Sequence, residues 1–305
     1  MTIREALAEG SSLLASSATG SAKIETPGLD AGLLLSHVLH TDRTQLIVRG
    51  KEPLSPESYS CFQELLRQRL EGECVAYILG QKEFHGLIFR VSPAVLVPRP
   101  DTETLVEAAL EVLGKYQTGN EESEEKNAGP LRVLDLCTGS GAVAIALKHE
   151  MPELEMRASD ISPQALTVAR QNSAQLRTIN STEIHFIESD LFAGLGNNRF
   201  DLIVSNPPYV ASGELETLAP EIQREPRIAL NGGEDGLSLI RRIIGEAGNY
   251  LLPGGTLLME AGPGQMDTIM EILKNNSFNE CRTYNDLAGR RRVIGGSRST
   301  TPQHE

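Results

Sequence analysis

Up to about residue 72, apolar residues recur at three- and four-residue spacing, which predicts helices over 3–15, 30–40 and 55–70. Ser55 followed by Pro56 fits an N-cap with proline at the first helical position. The pattern then shortens. Tyr77, Ile78, Leu79 and Gly80, and after them residues 87–91, predict two strands of a hairpin joined through 81–86. An extended Pro98-Arg99-Pro100 follows, and a helix is expected over 102–115. From residue 131 onward, strands near 131–136, 154–159, 184–188, 200–205 and 254–260 alternate with helices near 142–150, 163–176, 236–250 and 264–275. Such alternation implies a mostly parallel sheet covered on both faces. Residues 278–295 can supply two more strands, one of them antiparallel.

This reading divides the chain into a helical front domain (1–74), a hairpin linker (75–97), an α/β domain (98–295) and a flexible tail (296–305). Residues 117–130, rich in Gly, Asn, Glu and Lys, read as an exposed acidic insertion.

Composition narrows the partners. A net charge of -13 over 305 residues argues against a broad grip on nucleic acid, which needs arrays of Lys and Arg to displace counterions. A protein partner fits better. Cys61, Cys74, Cys137 and Cys281 are scattered with no metal-ligand spacing, so no metal is expected and the thiols read as reduced. No signal segment and no bilayer-length apolar run is present, and a cytoplasmic monomer away from membranes is expected.

The most informative string is Asn206-Pro207-Pro208-Tyr209, set at the end of the buried apolar run 200–205. An open α/β sheet keeps its ligands at such strand ends. The nitrogen of a carboxamide or aromatic amine is a poor nucleophile because its lone pair is delocalised. The Asn206 side-chain oxygen and the Pro207 carbonyl can accept both N–H bonds of such a group and aim its nitrogen. The two prolines restrict the backbone and add no competing donor. Tyr209 can stack on the flat group.

A second constellation lies upstream. Residues 131–136 form a first strand, and Cys137-Thr138-Gly139-Ser140-Gly141 the turn that opens the next helix, its glycines allowing close backbone approach to a ligand. Gly139 to Ala144 also satisfies a relaxed dinucleotide fingerprint, so a nicotinamide dehydrogenase is an alternative. Hydride transfer leaves the Asn-Pro-Pro-Tyr turn unexplained. In an S-adenosylmethionine site the glycine turn would pass beneath the methionine and ribose, Asp160 would hold the ribose, and Asp190 with Leu191 would border the adenine. Asp135 would orient the turn.

With these residues in view, the chain resembles the release-factor glutamine methyltransferases, the PrmC/HemK family of class I methyltransferases. The resemblance rests on Ala76 to Gly80 with Glu83-Phe84-His85-Gly86-Leu87, on Pro98-Arg99-Pro100-Asp101-Thr102-Glu103, and on Asp135 to Gly141. Further support comes from Ser205 to Val210, Glu225-Pro226-Arg227 with Gly232 to Gly236, and Asp286 to Arg290. It implies a Rossmann-like, mostly parallel seven-stranded sheet joined by a β-hairpin linker to a small helical bundle that docks the substrate. It implies S-adenosylmethionine as donor, held by Cys137, Thr138, Gly139, Ser140, Gly141, Asp160, Asp190, Leu191 and Asn206. The implied acceptor is the amide of the glutamine in the Gly-Gly-Gln motif of class I peptide chain release factors, held by Asn206, Pro207, Pro208 and Tyr209, with in-line methyl transfer. A ribosomal-protein glutamine is the nearest alternative and a nucleic-acid adenine the more distant one.

Two positions depart from the family pattern. Cys137 stands where glycine is usual, so right-handed or extended backbone is expected there. Cys74 stands where proline often precedes the linker. Glu83, Arg99, Glu103, Glu225 and Arg227 are candidates to gate the site or meet the substrate, or else surface ion pairs. Arg290-Arg291-Arg292 reads as a solvated strand edge.

Overall fold

The computed structural model describes residues 1–16, 24–118, 129–177 and 182–299. Most of the expected acidic insertion and the end of the tail therefore lie outside the described residues. The contacts divide the chain into two units, Met1–Gln81 with Thr217–Glu225, and Lys82–Glu216 with Pro226–Glu305.

The first unit holds α1 (Ile3–Ser16), α2 (Pro27–Val38), α3 (Arg43–Val48), α4 (Pro56–Leu70) and α5 (Val75–Leu79). Ser55 caps α4 by accepting from the Ser58 amide at 3.1 Å, ahead of Pro56. The apolar faces meet in a core of Ile3, Leu14, Leu34, Leu35, Phe62 and Leu66. Beneath it Arg69 and Asp30 form a buried ion pair at 2.8 Å. Thr26 donates to the other Asp30 oxygen at 2.9 Å, so both carboxylate oxygens have partners.

The expected strand at 77–80 is instead helix α5. Cys74 caps it, its Sγ accepting from the Tyr77 amide at 3.4 Å, and Gly80 ends it with a left-handed φ of 67°. The hairpin strands are β1 (Gln81–Phe84) and β2 (Leu87–Arg90), so the segment expected as connection supplies the first strand.

The second unit continues with α6 (Glu103–Thr118), β3 (Arg132–Leu136), α7 (Ala142–Glu150), β4 (Glu155–Asp160), α8 (Pro163–Leu176), β5 (His185–Glu188) and β6 (Phe200–Ser205). The chain passes to the first unit for 217–225, which includes α9 (Pro220–Gln223); there Arg69 also pairs with Glu221 at 2.6 Å. It returns with α10 (Arg227–Leu230), α11 (Ser238–Tyr250), β7 (Leu251–Glu260), α12 (Met266–Asn275), β8 (Phe278–Asn285) and β9 (Arg291–Arg298).

The seven-stranded sheet runs β5-β4-β3-β6-β7-β9-β8. Pairing is parallel from β5 to β7, and β9 is antiparallel to both β7 and β8. Two apolar layers cover its faces, one including α6 and α7, the other α11 and α12. Every residue of β6 is buried. The order reverses between β3 and β6, where a crevice opens at the carboxyl ends. Leu136 lies opposite Ser205, so the two strands end together and deliver Cys137 and Asn206 side by side.

Three expectations are corrected by burial and pairing. The tail was expected to be flexible from residue 296, yet β9 continues to Arg298 with Gly295 and Gly296 buried in the ladder. Arg292 is not solvated: it is 9% exposed and pairs with Asp101 at 2.7 Å and Asp286 at 3.4 Å. Glu225 is buried too, which removes it from the surface.

Candidate active site

Four strand ends of the parallel sheet, those of β3, β4, β5 and β6, contribute to one cavity of about 430 Å³. That size suits a small-molecule cofactor. Cys137, Thr138, Gly139 and Ser140 line it from the first turn, Asp160 from the second, Asp190 and Leu191 from the third, and Asn206 and Pro208 from the fourth. Gly141, Pro207 and Tyr209 lie outside its lining.

The glycine turn is held from two sides. Asp135 Oδ2 accepts from the Thr138 hydroxyl at 2.6 Å and from the Ala144 amide at 3.2 Å. Asp160 accepts from the Gly139 amide at 2.9 Å through one oxygen and from Ser162 at 2.9 Å through the other. Each of these oxygens keeps lone-pair capacity for a ligand hydroxyl. Gly139 has φ 55°, and a Cβ there would meet no protein atom within 4 Å. Glycine therefore leaves open space on the cavity side, the cradle that a bound cofactor requires.

Burial sets the electrostatics. Asp135 is pushed up to about 7, chiefly by desolvation, with the charge of Asp160 adding to it and the two hydrogen bonds opposing it. Asp160 is raised as well, again by burial, against its backbone donors. The floor of the cavity thus carries two carboxyl groups that a cation would stabilise in ionised form.

Cys137 departs from expectation. Its φ is 59°, left-handed rather than right-handed or extended. The turn imposes this: the next amide, Thr138, must reach Ser159 O at 3.0 Å, while Gly141 N closes onto Thr138 O at 2.8 Å. Burial, then the Asp160 charge, pushes its thiol up to about 12, so it stays protonated.

The Asn206–Tyr209 turn is packed by glycines. A Cβ on Gly232 would meet Pro208 O at 2.7 Å, and one on Gly236, which has φ 75°, would meet Tyr209 O at 2.3 Å. The Gly232 to Gly236 segment therefore allows the close approach that fixes these carbonyls. Gln265 donates to Tyr209 O at 2.9 Å. The Asn206 carboxamide donates through Nδ2 to the Thr102 hydroxyl at 3.2 Å, and its Oδ1 accepts from no described residue. Tyr209 was expected to stack on the acceptor, and its hydroxyl donates to Glu260 Oε1 at 3.0 Å.

Among the charged candidates, Arg99 and Arg227 line the cavity, and Arg227 pairs with Glu216 at 2.9 Å. Glu83 and Glu103 serve the hairpin turn, accepting from the Gly86 amide at 2.7 Å and the His85 amide at 3.0 Å. Two contributors escaped the sequence reading. Arg242 pairs with Asp190 at 3.0 Å on the rim. Asn172, fully buried on α8, joins β2 to the glycine turn by bonding Arg90 N and O at 2.7 and 3.0 Å and Ser140 O at 2.9 Å. Its helical spacing marks it only as a polar residue on a core-facing stripe. Among the described residues no three His, Cys, Asp or Glu side chains are grouped to hold a metal, and no helix is long and apolar enough to cross a membrane.

A model of the PrmC N-terminal domain matches residues 5–80, and one of the methyltransferase small domain matches 124–234. The chain is 39% identical over 274 residues to a release factor glutamine methyltransferase of Geobacter sulfurreducens, covering 90% of each chain. It is 41% identical over 272 residues to the enzyme of the same name from Neisseria gonorrhoeae, covering 88% of this chain and 93% of that one. Among solved structures, the hMettl16 catalytic domain superposes with a TM-score of 0.56 at 13% identity, over 76% of this chain and 83% of that one. A T. thermophilus 16S rRNA N2 methyltransferase in complex with AdoMet and guanosine gives 0.50 at 19%, over 72% and 49%. These two likenesses establish the methyltransferase fold.

Proposed function

The chain belongs to the release factor glutamine methyltransferase family, and from that premise we propose that it methylates the side-chain amide nitrogen of the glutamine in the Gly-Gly-Gln motif of class I peptide chain release factors. The observation that carries this reading is the position of Asn206. It stands at the end of β6, with Oδ1 uncommitted, in the same cavity as the glycine turn and Asp160.

S-adenosylmethionine, when bound, supplies a methyl group on a positively charged sulfur that is itself the leaving group. Gly139 with its neighbours would hold it, Asp160 would take the ribose hydroxyls, and Asp190 with Leu191 would border the base. Asn206 Oδ1 and the Pro207 carbonyl accept the two N–H bonds of the glutamine amide, which orients its nitrogen and favours the positive charge that grows there. The protein's work is alignment, worth roughly 7 to 11 kcal/mol in well-oriented reactions, and no strong base is needed. The first unit is read as the dock for the release factor, and the enzyme as a cytoplasmic monomer without direct contact to nucleic acid.

The test is methyl transfer from labelled S-adenosylmethionine to purified release factor, to its variant lacking the Gly-Gly-Gln glutamine, to ribosomes and to DNA. Label in the intact release factor alone is expected. Label in ribosomes or DNA instead would overturn the acceptor. Asn206→Ala should leave donor binding within about twofold and lower turnover by about 100-fold or more.

A further inference from the structure

Thr102 lies 104 residues before Asn206 in sequence, yet its side chain is where the Asn206 carboxamide is anchored. It closes the 3-10 turn Pro100–Thr102 that opens α6, is 4% exposed, and faces the cavity floor. A threonine hydroxyl has one proton to give. Beside it lies the buried carboxyl of Glu260, the last residue of β7, which burial pushes up and the Thr102 hydroxyl pulls back down. Tyr209 donates to Oε1 of the same carboxyl, and Oε2 is buried with no partner among the described residues.

Toward Asn206 the Thr102 hydroxyl is the acceptor, taking the Nδ2 hydrogen bond at 3.2 Å. Of the two ends of a carboxamide only Nδ2 can donate, so Oδ1 is left to the cavity. Without that acceptor, the amide could turn over and present N–H groups toward the N–H groups of the substrate amide.

We infer that Thr102 is a positioning residue that fixes which end of the Asn206 carboxamide faces the substrate amide. This rests on the proposed role of Asn206. It also gives the Pro-Arg-Pro-Asp-Thr-Glu segment a task in the transfer step: it delivers one hydroxyl to the back of the acceptor site.

The experiment compares Thr102→Val, which keeps shape and loses the hydroxyl, with Thr102→Ser, each alone and with Asn206→Ala, measuring turnover on intact release factor and donor binding by calorimetry. Thr102→Val is expected to lower kcat by about 10- to 100-fold with donor Kd within about twofold, as misplacement of a reacting group does. Thr102→Ser is expected to recover most of that loss. In the Asn206→Ala background Thr102→Val should cost nothing further, because its effect passes through Asn206. Full turnover in Thr102→Val, equal loss in Val and Ser, or an independent loss in the double variant would each overturn the inference. A weakened donor Kd in Thr102→Val would also overturn it, by placing the effect in the cofactor half. Near-normal turnover in Asn206→Ala alone would instead remove the reading of Asn206 itself.

Discussion

The Tyr209 hydroxyl donates to Glu260 Oε1 at 3.0 Å, which ties the last residue of the Asn-Pro-Pro-Tyr turn to the end of β7. Burial, then the Glu260 carboxyl, raises the tyrosine pKa well above its ordinary value, so the phenol remains a donor at any working pH. Tyr209→Phe keeps the ring and removes that donor. A buried carboxyl oxygen that loses a partner costs about 1–3 kcal/mol. For a unit of this size, melting should fall by roughly 2–4 °C per kcal/mol. Donor affinity should be unchanged, because Tyr209 lies outside the cavity lining. A Phe variant with unaltered melting and reduced donor affinity would show that the hydroxyl serves the donor site and not the stability of the turn.

Cys137 holds a left-handed φ of 59° that disfavours any side chain. Such a conformation costs about 1–2 kcal/mol for an L-residue, and glycine avoids it while losing somewhat more chain entropy on folding. Cys137→Gly should therefore be as stable as the parent or more so, by up to about 1 kcal/mol. Cys137→Val, β-branched, should be less stable than either. Thermal melts of the three proteins order them. A Gly variant clearly below the parent would mean that the thiol's contacts outweigh the strain.

Asn172, itself fully buried, places three hydrogen bonds between β2, α8 and the glycine turn, the one to Ser140 O buried and the two to Arg90 partly so. Asn172→Leu fills the volume and leaves Arg90 N, Arg90 O and Ser140 O without partners. The expected loss is on the order of 3 kcal/mol or more. Because Ser140 belongs to the cavity lining, donor affinity should weaken together with stability. Denaturant unfolding and calorimetric titration check the two halves, and a Leu variant that loses stability but binds donor normally would uncouple the bolt from the turn.

What the sequence made legible and what it hid divide by chain separation. The run into Asn206 and the Cys137–Gly141 turn are written in consecutive residues, so strand, turn and chemistry could be read together. Thr102 to Asn206, Arg90 to Asn172 and Tyr209 to Glu260 span 104, 82 and 51 residues, and no periodicity pairs them. Tyr77-Ile78-Leu79 is a β-favouring string too short for periodicity to decide. Its helix is set by the Cys74 cap and the left-handed Gly80, both outside the apolar run. At Arg292 a run of three arginines suggested solvent, whereas β9 carries that side chain to Asp101 and Asp286.

The pH dependence of donor binding follows from the two carboxyl groups of the cavity floor. Burial pushes Asp135 up to about 7, and Asp160 is raised in the same direction. A sulfonium cation favours their ionised forms, so binding it below about pH 7 must release a proton from Asp135. The sign is fixed by that release: affinity for S-adenosylmethionine should fall as pH drops from 7, by at most about tenfold per unit for one proton. Above pH 7 the group is already ionised and affinity should level off. S-adenosylhomocysteine carries the same amino-acid and nucleoside groups on a neutral sulfur, so its affinity should change far less over the same range. Titration calorimetry of both ligands between pH 5.5 and 8.5, in buffers of different ionisation heat, measures affinity and proton release at once. Parallel pH profiles for the two ligands would mean that neither carboxyl senses the sulfur charge, whereas Asp135→Asn should flatten the difference between them.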